Sequence, residues 1–242
     1  MVNDVSIVVP AHCEGRHVGD SVRRLLETLD QDNIPSKVII VLDGPDLEAR
    51  ASIEQISDCR LEILELAVPS GKGAALKAGC ERSESMFTAF FDADLDIHPK
   101  SLVECIHKLA FLSDEVVCVY GSKHHPDSRI AYPAIRRFCS RALHLLIQIL
   151  FKVECKDSQT GVKVFRTSEL NKVIRFSREN RFLFDLEILA LLSNCGGRLV
   201  DMPVEITYQY TTSINLFSAA QILFDVFTLR VRLIRQLRLV RS

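Results

Sequence analysis

The chain has 242 residues, 48% hydrophobic and 25% charged, with 30 Lys and Arg against 31 Asp and Glu for a formal charge of −1. It is too apolar for a disordered chain and long enough to bury one large core, and its charge balance argues against a globally basic nucleic-acid binder. The near-zero total hides a division: residues 1–98 carry 18 acids and 9 bases, net −9, while residues 99–242 carry 13 acids and 21 bases, net +8. Eight cysteines without a CxxC pair point to reduced, mostly buried thiols and away from structural zinc. The chain opens almost at once on a strand-like run, so no targeting segment is expected, and no apolar run approaches the ~18 residues of a membrane span.

Five short apolar runs, Val5–Pro10, Val38–Leu42, Leu61–Leu66, Met86–Phe91 and Val116–Tyr120, read as strands buried on both faces. Amphipathic stretches separate them: Val18 to Leu29, Leu47 to Ile56 and Gly73 to Cys80, with a further helix starting near Pro99. This alternation predicts an α/β fold with a mostly parallel sheet and helices on both faces. Tyr132 to Lys152 reads as one long helix, basic at its start. A turn at Asp157-Ser158-Gln159-Thr160-Gly161 leads to a strand over Val162–Phe165, helices near Thr167–Phe176 and Phe184–Asn194, and strands at Arg198–Asp201 and Val204–Tyr208. Leu216 to about Leu239 is helical, with Arg230, Arg232, Arg235, Arg238 and Arg241 towards its end. The expected organisation is a core over 1–212 and an amphipathic, Arg-rich helical appendage over 213–242.

In parallel sheets ligands bind beyond the carboxyl ends of the strands. Those positions hold Pro10-Ala11-His12-Cys13-Glu14, Asp43-Gly44-Pro45-Asp46, Ser70-Gly71-Lys72-Gly73 and Asp92-Ala93-Asp94-Leu95-Asp96. No GxGxxG follows the first strand, and Gly71-Lys72-Gly73 lacks the frame of a Walker loop. Three carboxylates as close as Asp92, Asp94 and Asp96 repel one another unless donors or a cation compensate, and a hard divalent ion bridging a diphosphate would do so. His98, His124 and His125 are expected to be exposed or helix-capping, since a hard ion prefers oxygen ligands; His12 is placed to stack on a base.

Val9-Pro10-Ala11…Glu14, Asp43-Gly44…Asp46, Gly71-Lys72-Gly73, Asp92-Ala93-Asp94, Gly121-Ser122-Lys123 and Asp157-Ser158-Gln159-Thr160-Gly161 together resemble family-2 glycosyltransferases of the GT-A fold. Within them the chain is similar to the polyprenyl-phosphate branch. Val162-Lys163 after the turn and Phe184-Asp185-Leu186-Glu187 look more like dolichyl-phosphate β-glucosyltransferases than mannose synthases. The resemblance covers Val5 to roughly Leu233. It implies that Pro10, Ala11, Glu14 and Asp43 line the base and ribose pocket with Lys72 nearby, that Asp92 faces the nucleoside, and that Asp94 and Asp96 hold Mg²⁺ or Mn²⁺. Lys123, Arg136 and Ser140 would contact phosphates, and Gln159 would contact substrate. Two positions depart from the pattern: His12-Cys13 replaces the common Tyr-Asn, and residues 210–215 contain no Lys or Arg.

A polyprenyl phosphate is already ionised near neutral pH, so the reaction needs cations and positioning rather than a strong base. Lys123, Arg129, Arg136, Arg137 and Arg141 offer that charge, with Arg136 and Ser140 on one helical face by their spacing of four. Asp185 and Glu187 either orient sugar hydroxyls or the acceptor, or pair with Lys163 or Arg166. In the last helix Leu216, Phe217, Ile222, Leu223, Phe224, Phe227 and Leu229 are expected on one apolar face, suited to a membrane surface or to a partner subunit. The expected activity is inverting transfer of a hexose, glucose from UDP-glucose before mannose from GDP-mannose, to a dolichyl or polyprenyl phosphate. It would take place peripherally on the cytosolic membrane face, of the endoplasmic reticulum in a eukaryote or the plasma membrane in a prokaryote. A second copy of the chain, as a homo-oligomer, or a membrane subunit is the partner to expect, and the alternatives are a soluble or protein-linked acceptor and a catalytically silent, membrane-associated subunit.

Overall fold

In the computed structural model, residues 4–130, 147–151, 153, 155–206 and 216–240 are described, with backbone alone for 130, 216–224, 238 and 240. Three strands at the centre of the molecule set the site: β1 (Val5–Ala11), β2 (Ser36–Leu42) and β4 (Phe87–Phe91), with β1 parallel to both neighbours. β3 (Leu61–Glu65), β5 (Val116–Ser122), β7 (Val162–Arg166) and β8 (Arg198–Pro203) complete a sheet of seven strands in the order β3-β2-β1-β4-β7-β5-β8. Only β7 runs antiparallel, wedged between β4 and β5. A two-residue strand β6 (Arg129–Ile130) pairs with β9 (Glu205–Ile206) beside the main sheet.

The alternation along each strand sends side chains to two cores. Val5, Ile7, Val9 and Ala11 pack under α1 (His17–Gln31), α2 (Leu47–Glu54) and α4 (Pro99–Phe111). Val8, Ile39 and Val41 pack on the other face against α3 (Lys72–Cys80), α5 (Thr167–Ile174), α6 (Phe184–Asn194) and α7 (Leu216–Val240). On α1 the buried positions Val18, Val22, Leu25, Leu26 and Leu29 recur at helical spacing, and each large side chain removed from water contributes roughly 1.5–3 kcal/mol. α6 is buried on all sides from Phe184 to Leu192, acids included.

The expected strands and helices are found with ends moved by a few residues, and the sheet is mostly parallel as the alternation implied. β6 is new. For the expected helix Tyr132–Lys152, residues 147–151 are helical and 131–146 lie outside the described residues. Among the described side chains of the last helix the apolar residues divide, Val226, Leu229 and Leu233 entering the core while Phe227 points out, 52% exposed; the side chains of Leu216, Phe217, Ile222, Leu223 and Phe224 lie outside those described. No described helix is long and apolar enough to cross a membrane.

Candidate active site

Because β3, β2, β1 and β4 are adjacent and parallel, their carboxyl ends bring four separate segments to one place. Pro10, Ala11, Glu14, Asp43, Lys72, Asp92 and Asp94, all expected from the sequence, line a single recess of about 160 Å³ together with His12 and Ala93. Two non-glycine residues beside it, Cys13 (φ 55°) and Leu95 (φ 53°), adopt left-handed backbone conformations. Such outliers concentrate where structure serves a site rather than stability. Larger cavities occur elsewhere, one of about 410 Å³ near Val117, Lys172 and Gly197, at the end of the sheet opposite these loops.

Asp43 works largely through the chain. Buried, it accepts hydrogen bonds from the backbone N–H groups of Ser70 (2.6 Å) and Gly71 (2.9 Å), drawing the Lys72 loop to the recess, while its own carbonyl lies 3.0 Å from His12 Nδ1. Lys72 Nζ stands 2.6 Å from Asp92 Oδ1 and 3.7 Å from Asp185 Oδ2. Behind it the fully buried Lys163 pairs with Asp185 Oδ1 at 2.9 Å and donates to the Thr160 carbonyl at 2.5 Å. Four charges of alternating sign thus run from the middle of the sheet to the recess wall: Lys163, Asp185, Lys72, Asp92.

The electrostatics divide the recess. Burial works against both charges of the inner pair of the wall, yet Asp92 and Asp185 push the Lys72 ammonium above its ordinary value, and Lys72 holds Asp92 below the usual carboxylate range. Asp94 makes no ion pair among the described residues, although it too helps to raise Lys72. Desolvation, then Asp92, Asp96 and Glu14, raise its carboxyl to about 6, although its backbone-linked turn to Asp96 (Oδ1 to N, 3.1 Å) pulls the other way. Glu14 is raised by burial and by Asp92. One end of the recess therefore gathers carboxylates that repel one another and share burial. No cluster of three metal-ligating side chains occurs among the described residues. Asp94 and Asp96 nevertheless fit Mg²⁺ or Mn²⁺, which is commonly bound through one or two carboxylates with substrate phosphates and water supplying the rest.

A second group lies beyond β5 and before β7. Asp157, buried, accepts from the backbone N–H of Lys123 (2.9 Å) and of Gln159 (3.2 Å), and lies 3.4 Å from Lys123 Nζ. Burial raises its carboxyl, and Lys123, the Thr160 hydroxyl, the Lys123 backbone N–H and His124 together more than reverse that, leaving it below the ordinary value. The peptide of Asp92 is tied to this turn, donating to the Gly161 carbonyl at 3.0 Å. Gln159 Nε2 is buried without a hydrogen-bond partner among the described residues. Arg136 and Ser140, expected at the phosphates, lie outside the described residues, as do Arg137, Arg141 and residues 210–215. His98 caps α4, accepting from Lys100 N at 3.1 Å.

Asp185 and Glu187 sit deeper than contact with substrate requires. Asp185 is 3% exposed between two lysines, and Glu187 is 0% exposed with both carboxylate oxygens occupied by Ser177, Arg178, Glu179 and Gln236; neither lines the recess. From the sequence, Lys163 is expected only as an ion-pair partner for Asp185 or Glu187. Its signal was a lone lysine inside the apolar run Val162 to Phe165 of an interior strand, which demands a buried counter-charge.

This architecture is the GT-A fold: the structure superposes on mannosyl-3-phosphoglycerate synthase from Rubrobacter xylanophilus with a TM-score of 0.75 at 15% identity, covering 97% of this chain and 74% of that one. Glucosyl-3-phosphoglycerate synthase from Mycobacterium tuberculosis, in complex with UDP, matches with a TM-score of 0.70 at 14% identity over 96% of this chain and 80% of the other. The profile of glycosyl transferase family 2 matches residues 6–176, and the chain belongs to that family. Among relatives, glycosyltransferase AglD of Haloferax volcanii is 27% identical over 88% of this chain and 34% of its own length. Dolichyl-phosphate beta-glucosyltransferase ALG5D of Trichomonas vaginalis is 26% identical over 83% of this chain and 65% of its own. The dolichyl-phosphate beta-glucosyltransferase of Dictyostelium discoideum is 26% identical over 94% and 74%. The chain thus spans about a third of AglD and just under two thirds of ALG5D.

Proposed function

We propose that this chain transfers glucose, with inversion, from UDP-glucose to a dolichyl or polyprenyl phosphate at the cytosolic face of a membrane. The observation that carries the reading is the recess where the segments after β1, β2, β3 and β4 bring together Glu14, Asp43, Lys72, Asp92 and Asp94, with mutually repelling carboxylates at one end. Relatives named dolichyl-phosphate beta-glucosyltransferase support the sugar and the acceptor class, and the mycobacterial GT-A structure that holds Mn²⁺ and UDP-glucose supports the donor.

In this reading Pro10, Ala11, Glu14 and Asp43 form the wall for base and ribose, and Asp92, held ionised by Lys72, is fixed beside the nucleoside. Asp94 and Asp96 would hold Mg²⁺ or Mn²⁺, which supplies positive charge to a leaving diphosphate. An acceptor phosphate oxygen forms the new bond to the anomeric carbon from the face opposite the departing diphosphate, whose bond breaks with its electron pair. Lys123, held by Asp157, and Arg136 and Ser140 would offset repulsion between the two anionic substrates, and Gln159 offers an unsatisfied N–H to the sugar or phosphate.

The exposed side of α7 supports the membrane reading. Phe227, Val231 and Ile234, 52%, 59% and 43% exposed, recur at spacings of four and three, and Arg230 and Arg235 fall on either side of that stripe by helical geometry. The donor is tested by thermal shift with Mn²⁺ present. UDP-glucose at a hundredfold excess over its dissociation constant is expected to stabilise the fold by about 2.7 kcal/mol, with GDP-mannose much weaker. Stabilisation by GDP-mannose alone would move the assignment to a mannosyl donor, and response to neither would refute a nucleotide-sugar site.

A further inference from the structure

Among the described residues, Glu187 is the most deeply buried acid that the proposed chemistry does not use. It lies on α6, 0% exposed, and forms no salt bridge among the described residues, although Lys77 lies near enough to feel its charge. Its charge is instead met by donors from two directions. Oε2 accepts from the Ser177 hydroxyl and from the backbone N–H groups of Arg178 (3.1 Å) and Glu179 (3.0 Å). Oε1 accepts from Gln236 Nε2 (2.7 Å), on α7, a nitrogen that also donates to the Phe176 carbonyl at 2.8 Å. Arg232 adds a second link from α7 to the same segment, 3.2 Å from Glu179 Oε2.

Segment 177–181 in turn grips the loop that carries Lys72. The Asn180 carbonyl accepts from Ala74 N at 3.1 Å, and Lys77 Nζ donates to the Ser177 carbonyl (3.1 Å) and to Asn180 Oδ1 (2.9 Å). The two glycines flanking Lys72 are required by this approach. A Cβ on Gly71, whose φ is +101°, would stand 2.4 Å from the Asn180 carbonyl oxygen, and one on Gly73 would stand 2.7 Å from Phe184 Cβ. The opposite side of the loop is held by Asp43. Lys72 is therefore presented to Asp92 by a loop clamped between Asp43 and segment 177–181, and the latter clamp is closed by Glu187.

We infer that Glu187 is a positioning residue, whose carboxylate latches segment 177–181 and helix α7 together and thereby holds the Lys72 loop in its binding shape. Its consequence for the donor rests on the proposed nucleotide-sugar reading, while the latch itself does not. A carboxylate is needed because both oxygens must accept. Glutamine at this position has one acceptor oxygen and an NH₂, so it faces a donor with a donor either at the backbone N–H groups of 178 and 179 or at Gln236. The inference also makes α7, the proposed membrane-facing helix, a mechanical support of the donor loop: it reaches the recess through Gln236, Glu187 and Asn180.

The test compares the wild-type chain with Glu187→Gln and Gln236→Met by hydrogen–deuterium exchange and by titration of UDP with Mn²⁺. Exchange of amides 71–75 is expected to accelerate by about tenfold or more in both variants, the scale of losing a hydrogen bond to a buried charge, while β1 and β2 keep wild-type protection. UDP affinity is expected to fall several-fold, with Glu187→Asp recovering less than the wild-type value because its shorter arm cannot reach both partners. Unchanged exchange at 71–75, or acceleration spread evenly over β1 and β2, overturns the latch. Gln236→Met keeps the carboxylate and cuts one arm, so it decides the matter even if Glu187→Gln does not fold. Failure of UDP to bind the wild type would instead count against the nucleotide reading, and the exchange data would still judge the latch.

Discussion

Lys163 and Asp185 are a buried pair at the back of the recess, and the cost of breaking such a pair exceeds the gain of having it. Lys163→Met leaves Asp185, 3% exposed, with Lys72 as its nearest cation at 3.7 Å, and is expected to destabilise the fold by about 3–5 kcal/mol in urea titration. Replacing both, with Asp185→Leu, should recover most of that loss; a double variant as unstable as the single would show that the pair is not the unit. Asp157→Asn is a pH experiment. Lys123 and two backbone N–H groups favour its ionised form, so its folded pKa lies below the unfolded one. That contribution is present above the unfolded pKa of about 3.9 and is lost as pH falls through the lower folded value. The variant should be about 1–3 kcal/mol less stable at pH 7, with the gap closing below about pH 4. Single residues were legible here when a strand ended on them: Pro10, Ala11, Glu14, Asp43, Lys72, Asp92 and Asp94 followed from that rule and meet in one recess. Glu187 and Asn180 were not legible in those roles. What they hold is a backbone brought near by the fold, and a carboxylate in an apolar helix looks the same in sequence whether it faces a ligand or a loop.

At the scale of elements, α7 has a buried face in the core and an exposed stripe to which the proposed function gives the membrane. Leu229, buried against the core, is expected to cost 2–5 kcal/mol when cut to alanine, as buried leucines do. Val231→Ser and Ile234→Ser, on the exposed stripe, should leave the melting temperature within a degree or two of wild type, as surface substitutions do, yet weaken flotation with anionic vesicles. Arg230→Glu with Arg235→Glu should do the same and remove the salt dependence of what binding remains. Stability loss from the exposed pair, or flotation unchanged in all variants, would contradict the division of faces. The period of this helix was readable but its sidedness was not: Phe227 and Leu229 both continue an apolar pattern, and only packing on α6 selects which one turns inward. β6 escaped because two residues, Arg129 and Ile130, carry no alternation, and their pairing with Glu205 and Ile206 is decided by the strand that the fold brings beside them. The interior strands were plain because burial on both faces forces unbroken apolar runs.

At the scale of the molecule, the formal charge of −1 is the sum of an acidic first half and a basic second half. The acidic half contains Glu14, Asp43, Asp92, Asp94 and Asp96 at the carboxyl ends of β1, β2 and β4; the basic half contains Lys123 and the arginines of α7. This separation suits a reaction in which an anionic donor and an anionic acceptor must approach from different sides. Asp94→Asn is expected to lower turnover by about a hundredfold or more through loss of transition-state charge stabilisation, without loss of stability, since it removes one of several carboxylates that repel. A variant retaining full activity would contradict the role given to that end of the recess. The central claim is tested most directly by incubating the chain with labelled UDP-glucose, Mn²⁺ and dolichyl phosphate and analysing the lipid extract. The account predicts a β-linked glucosyl phospholipid that forms only when metal and lipid phosphate are both present. Glucose transferred only to water or to a soluble acceptor, or an α-linked lipid product, would contradict it.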